Sequence, residues 1–232
     1  MSAGVLADPA AAPNPWFSWS YVTQNSDTIL AALRYHVALT AEAMGVAILV
    51  AIPLAIVAYW FRPLSAPILG VSSVLYTIPS LALFAFLAPF TGVTGTTTVL
   101  IGLVLYALLL IIGNTVTGLQ QVPADVLDAA RGMGYGRLGR LFRVELPLAL
   151  PGIMTGIRLA TVSTVALVTV GVVLGQGGLG QLIIGGLRNN FFKAEIATGT
   201  VLCVALGLVL DLILAGITKL ITPWTWRRTS TR

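Results

Sequence analysis

Polar and apolar positions along this chain fall into long blocks, with no period-two alternation. Five apolar blocks, at about 37–60, 66–90, 97–119, 149–174 and 195–221, each approach the ~20 residues needed to cross a ~30 Å hydrocarbon layer. Backbone groups in lipid must find partners within the protein, and segments of this length without strand alternation do so as helices. The pattern predicts an all-α integral membrane protein with five transmembrane helices. One long polar interruption, VPADVLDAARGMGYGRLGRLFRVELPLALPG at 122–152, lies between the third and fourth blocks. Arg131, Arg137, Arg140 and Arg143 stand there against Asp125, Asp128 and Glu145, with Val126, Leu127, Leu138, Leu141 and Phe142 between the charges. This spacing predicts two short amphipathic helices broken at Gly132, Gly134 and Gly136, with Pro123 tolerated in the first turn and Asp125 favourable at the positive helix end. A helical hairpin with an apolar and a basic stripe, set between membrane spans, is a docking device.

Composition agrees with the block pattern. Hydrophobic residues make up 57% of the chain and charged residues 9%, against roughly 25% charged in soluble domains, which excludes a water-soluble fold. The net charge of +5 is spread over short connections between apolar runs, a topology signal and not a nucleic-acid-binding one. With the N-terminus outside, nine basic residues fall on the cytoplasmic side: Arg62, the four hairpin arginines, Lys219, Arg227, Arg228 and Arg232. Only Arg34, Arg188 and Lys193 then lie outside, so the positive-inside rule places the hairpin in the cytoplasm. Residues 1–23 read as a disordered extracytoplasmic tail carrying the interfacial aromatics Trp16, Phe17, Trp19 and Tyr21. Residues 24–222 read as the transmembrane domain, opening with a short interfacial helix at 24–35, and 223–232 as a basic cytoplasmic tail. His36, the single histidine, stands at the expected mouth of the first span, in a surface or interfacial role.

Polar residues inside the apolar blocks mark candidate function. Pro79 lies near the middle of the second block among Ser72, Ser73, Thr77 and Ser80; it frees a backbone carbonyl, kinks the helix and makes this span a candidate lining of a translocation path. Asn114, Thr115 and Thr117 close the third block, where interhelical hydrogen bonding is their ordinary use. Gly152, Gly156, Ala160 and Thr164 recur every four residues and give the fourth helix a face of small side chains, for packing within the subunit or against a second one. Arg158 is on the opposite face. It and Asp211 each lie about nine or ten residues from the cytoplasmic end of their helices, a common depth of ~14–15 Å. The two predict an intramembrane contact, either a structural ion pair or part of an inner gate. Gly175, Gly177 and Gly180 spell G-x-G-x-x-G, but they end a membrane span and lack the strand and helix of a dinucleotide site, so an external turn with close backbone packing is expected. There is no phosphate-binding Walker loop, and with one cysteine (Cys203) and one histidine no Cys/His metal cluster. The chain is expected to bind no metal or cofactor itself and to leave catalysis to another subunit.

The hairpin sequence supports a more specific reading. Asp128-Ala129-Ala130, Gly134, Val144 and Leu146-Pro147 stand at the intervals of the EAA signature. The segment resembles that of permease subunits of bacterial ABC importers, with Asp128 in place of the usual Glu and Val144 in place of Ile. Ala129 and Ala130 allow close approach, Gly134 permits the turn, and Pro147 restarts the chain as a membrane helix. The resemblance implies that 122–148 is the coupling segment, which engages a cytoplasmic ATPase through Asp128, Ala129, Ala130, Arg131, Gly134, Arg137, Arg140, Leu146 and Pro147. Tyr76-Thr77-Ile78-Pro79-Ser80-Leu81-Ala82, Leu105-Tyr106-Ala107 and Asn114-Thr115 are similar to the osmoprotectant branch, which handles glycine betaine, choline or carnitine. Tyr76, Thr77, Pro79, Ser80, Tyr106 and Asn114 are thereby candidates for the translocation path. The resemblance further implies a bacterial inner-membrane location and a homo- or heterodimeric permease. Its expected partners are membrane lipid, two ATPases that carry ATP and magnesium, and an extracytoplasmic solute-binding protein; no nucleic acid is expected. An importer of the same architecture for an amino acid or other small solute, and an ATP-independent carrier or channel, are the alternative readings.

Overall fold

The computed structural model describes residues 14–91 and 95–224. Residues 1–13 of the expected tail, together with Arg227, Arg228 and Arg232, lie outside the described residues. Among the described residues, four helices are each long and apolar enough to cross a membrane: α2 (Ser26–Trp60), α5 (Thr96–Gln120), the continuous helical stretch Arg137–Leu174, and α10 (Lys193–Ile221). A broken pair, α3 (Arg62–Thr77) and α4 (Ser80–Thr91), whose axes meet at 103°, is together long and apolar enough for a fifth span. α2 ends at Trp60 beside Arg137, and α5 begins at Thr96 beside Gln176. The α3–α4 pair therefore carries the chain from the hairpin end of the bundle to the opposite, glycine-turn end.

Three helices form the core. The apolar stretch of α5 is 61% buried, against 11% for α10, so α5 is central and α10 peripheral. α8 (Leu146–Gly171) meets α5 through its small-residue face. A Cβ placed on Gly152 would stand 2.9 Å from the Gly118 Cα, and one on Gly156 would stand 2.8 Å from both the Asn114 Cβ and the Leu110 carbonyl oxygen. The ladder thus packs within the subunit. α2 supplies a matching stripe that is not evident from the block pattern: Ala43, Ala47, Ala51 and Ala55, at intervals of four, are all wholly buried in the same core as Ile111, Ile112 and Ala160. Small side chains let the backbones approach, and the resulting dispersion attraction replaces a hydrophobic drive that is weak between helices in lipid.

Several boundaries differ from the sequence expectation, each for a local reason. No Pro or Gly occurs between Ser26 and Met44, so the expected interfacial helix at 24–35 is the first part of α2, whose 35 residues span ~52 Å and overshoot the hydrocarbon layer. Within the expected disordered tail, Trp19–Gln24 forms a short helix, α1, because the Ser18 hydroxyl caps it by accepting the Tyr21 N–H at 3.2 Å. The Tyr21 ring packs edge-on against Phe192 at 5.3 Å. Burial, and then the Glu195 carboxylate, push the Tyr21 phenol up to about 12, so it remains a donor at any physiological pH. Asn14 completes this attachment by donating to the Phe191 carbonyl and accepting the Lys193 N–H, both at 2.9 Å.

His36 also departs from expectation. It is wholly buried between helices and not at the protein surface. Its Nε2 lies 3.0 Å from the Val165 carbonyl, and its Nδ1 accepts the Leu179 N–H at 3.3 Å, an arrangement that assigns the proton to Nε2. Beside it the glycine turn folds onto α2. Gly175 and Gly178 take positive φ of 78° and 110°, and a Cβ on Gly177 would stand 3.0 Å from the Tyr35 ring. Tyr35 and Thr96 both donate to the Gln176 side-chain oxygen, at 2.8 and 2.9 Å. The G-x-G-x-x-G string is therefore a clasp between helices. α9 (Gly180–Arg188) then packs on α10.

Gly156→Leu should force α8 off α5 and cost about 1–3 kcal/mol, as overpacking does. Gly216→Ala, where a Cβ would meet nothing within 4 Å, should leave stability unchanged or slightly raised. The thermal midpoints of the two purified variants, measured side by side, check the seam.

Candidate functional site

The hairpin starts with α6 (Ala124–Gly132). Its end is a Schellman turn: Gly134, at φ 82°, donates to the Arg131 carbonyl at 2.9 Å, and Tyr135 donates to the Ala130 carbonyl at 3.1 Å. Gly134 is needed there because the left-handed position penalises any side chain. α7 (Arg137–Arg140) follows and runs into a π-turn, Leu141–Glu145, which continues directly into α8. In that turn the Leu146 N–H reaches back five residues to the Leu141 carbonyl. Pro147 therefore does not restart the helix, as the sequence suggested; the widened turn accommodates it within a continuous helical path.

The hairpin has two faces. On the outward face, Met133, Leu138 and Phe142 are 70%, 62% and 63% exposed, beside an exposed Asp128–Arg131 ion pair of 2.8 Å. Ala129 is exposed next to them, whereas Ala130 is buried at the root of α6. The inward face carries two of the predicted coupling arginines. The Arg137 guanidinium sits 4.5 Å over the Trp60 ring and 5.6 Å over Phe61, at the junction of α2 and α3. Arg140 pairs with Glu145, which is wholly buried. Leu141 seals this root among Leu119, Ala149 and Ile153, with Leu146 and Trp60 packed against the cluster.

The broken span forms the second feature. Pro79 has no N–H to continue the helix, and the Leu75 carbonyl instead receives the Ile78 N–H at 3.4 Å. Tyr106 of α5 donates its hydroxyl to the Ile78 carbonyl, which satisfies the backbone group exposed by the break. The Tyr76 and Tyr106 rings meet edge to face at 5.7 Å. Tyr76, Thr77, Pro79, Ser80 and Tyr106 thus gather around one open cavity of about 430 Å³, lined also by Ser163, Ala166 and Leu167 of α8. Asn114 is elsewhere: it bonds to the Leu110 carbonyl at 2.8 Å and lies in the α5–α8 seam.

Arg158 and Asp211 meet in a bidentate pair, with Nε and a terminal guanidinium nitrogen each 2.8 Å from a separate carboxylate oxygen. Both side chains are about one-third exposed, at 34% and 30%. Fork-to-fork pairing satisfies both groups where a lone charge in a span would be costly. The pair ties peripheral α10 to α8.

Comparison with known proteins fits this geometry. Residues 44–227 match the family described as binding-protein-dependent transport system inner membrane component. The chain belongs to this family. It is 34% identical to the osmoprotectant import permease protein OsmW of Salmonella typhimurium, over 88% of this chain and 96% of the relative. It is 34% identical to the choline transport system permease protein OpuBD of Bacillus subtilis, over 92% and 94%, and 35% identical to the carnitine transport permease protein OpuCB of Listeria monocytogenes, over 88% and 93%. Among solved structures, inward-facing MetNI, a methionine ABC transporter, superposes with a TM-score of 0.79 at 22% identity, covering 86% of this chain and 98% of that one. The fold is thus that of an ABC-transporter permease, and the chain is a multi-pass membrane protein.

Removing one partner of the membrane pair should be worse than removing both. Asp211→Leu alone is expected to lower the thermal midpoint and the yield of folded protein, and Arg158→Leu/Asp211→Leu to recover most of the loss. A double-mutant cycle on the detergent-purified protein checks the coupling.

Proposed function

We propose that this chain is the transmembrane subunit of an ATP-driven importer of compatible solutes bearing a quaternary ammonium group, such as glycine betaine, choline or carnitine. It works as a homo- or heterodimer with two cytoplasmic ATPases and an extracytoplasmic binding protein. The observation that carries the reading is the outward face of the hairpin, where Met133, Leu138 and Phe142 stand exposed beside Asp128 and Arg131. Large exposed apolar side chains rimmed by charge mark a protein-docking surface. The hairpin lies in the cytoplasm, the N-terminus lies outside, and residues 122–148 form the coupling segment; the distribution of Arg and Lys supports this orientation. ATP and magnesium are held by the partner, which closes on ATP and moves the hairpin. The two permease bundles then rock so that the central path opens alternately to either side.

The substrate class is supported by the names of relatives that share a third of their residues with this chain over nearly its whole length. The Tyr76–Tyr106 cavity at the broken span gives such a solute a passing site, since a quaternary ammonium gains about 0.5–2 kcal/mol over an aromatic face. Thr77 and Ser80 line the same cavity and offer hydroxyls to the polar end of the solute.

Leu138→Asp and Phe142→Asp, both at exposed positions, should leave the subunit folded yet reduce its co-purification with the ATPase by about ten-fold or more, as loss of an interface anchor does. In cells, uptake of labelled choline should be competed by carnitine or glycine betaine and not by methionine. Competition by methionine alone would move the substrate to the amino-acid class, and gradient-driven transport without an ATPase would remove the importer reading.

A further inference from the structure

A motor gripping the outward face of the hairpin can drive transport only if its displacement reaches the membrane helices undamped. The link between hairpin and α8 is the π-turn Leu141–Glu145, a widened turn in which the regular helical hydrogen-bond ladder is interrupted. Left to itself, such a turn bends under load. Arg140, immediately before the turn, pairs with Glu145 at its end, so one ion pair spans the turn from side to side. Glu145 is wholly buried and the Arg140 side chain is 15% exposed, with the Tyr59 phenol beside the carboxylate. Burying a charge pair costs so much desolvation that apolar residues of similar size often give equal or greater stability. A buried pair placed across this turn is therefore weak evidence of a stabilising role alone. The second link is Arg137, stacked over Trp60 and Phe61 and donating to the Trp60 carbonyl at 3.4 Å. It joins the hairpin to the end of α2 and the start of α3, the helix that leads to the break at Ile78–Pro79.

We propose that Glu145, Arg140 and Arg137 are positioning residues of the transport cycle: the Arg140–Glu145 pair stiffens the π-turn so that hairpin motion is delivered to α8, and the Arg137–Trp60 stack delivers it to the α2–α3 junction. This assignment rests on the importer reading and gives these arginines a role distinct from ATPase docking. A planar guanidinium is required over Trp60, because a lysine retains the charge and loses the stacked fork.

The test uses the complete transporter, with its ATPase and binding protein, in proteoliposomes, measuring solute uptake and ATP hydrolysis in parallel. Arg140→Leu/Glu145→Leu is expected to assemble and to hydrolyse ATP, while solute moved per ATP falls about ten-fold or more once the staple is gone. Arg137→Lys should lower the same ratio by a smaller factor with ATPase binding unchanged. An unchanged ratio in both variants overturns the proposal, as does a loss of uptake that only follows a loss of ATPase binding. If the double variant fails to assemble, Arg137→Lys decides by the same ratio. A wild-type complex whose hydrolysis does not respond to the permease at all would instead remove the importer reading.

Discussion

The constraint on which the rest of this structure depends is the close approach of α5 and α8. Gly152 and Gly156 leave no room for a Cβ where the two helices cross, and Gly118 leaves a tight fit at 3.0 Å from the Ala149 carbonyl oxygen. In lipid, helices gain little from hiding apolar surface, because the solvent is as apolar as they are, and association relies on dense packing. Backbone-to-backbone contact is the densest packing available to two helices. Once that seam is made, the alanine stripe of α2 fits alongside it, and three helices become a rigid body. To this body the hairpin root, the broken span and the glycine turn are attached.

Four polar groups of this body join elements that are distant in sequence. His36 ties α2 to α8 and to the turn after it. Gln176 receives hydroxyls from α2 and α5. Tyr106 covers the carbonyl exposed where Pro79 interrupts the helix, and Arg158 holds Asp211 across to α10. The pattern follows from the cost of leaving a buried polar group unpaired, which in a membrane no water relieves. It explains why these four stand at junctions between helices.

The hairpin extends the same logic to its own two faces. Its exposed apolar residues have no partner of their own helix to cover them, while its inward arginines are committed to Trp60 and to Glu145. A segment with one face open to a partner and the other anchored to the bundle is suited to passing displacement between the two. The broken span stands near the far end of that chain of contacts, with an aromatic pair and the hydroxyls of Thr77, Ser80 and Ser163 around an open cavity.

The helical class, the approximate spans, the hairpin and its broken centre could be read directly from the chain, because hydrocarbon thickness and backbone hydrogen bonding leave few alternatives for apolar blocks of this length. The four-residue spacing of Gly152, Gly156 and Ala160 likewise announced a close-packed face, and the equal depths of Arg158 and Asp211 announced their contact. The course of His36, the continuity of α2 through 24–35 and the turning of Arg137 and Arg140 toward the bundle could not be read that way. Each depends on which distant carbonyl, ring or carboxylate lies opposite, and that is settled only when the helices pack. Pro79 marks the difference most clearly. Its missing N–H forecasts a bend from sequence alone, whereas the 103° angle belongs to the tertiary structure, in which the Tyr106 hydroxyl arriving from α5 satisfies the Ile78 carbonyl that so sharp a break exposes.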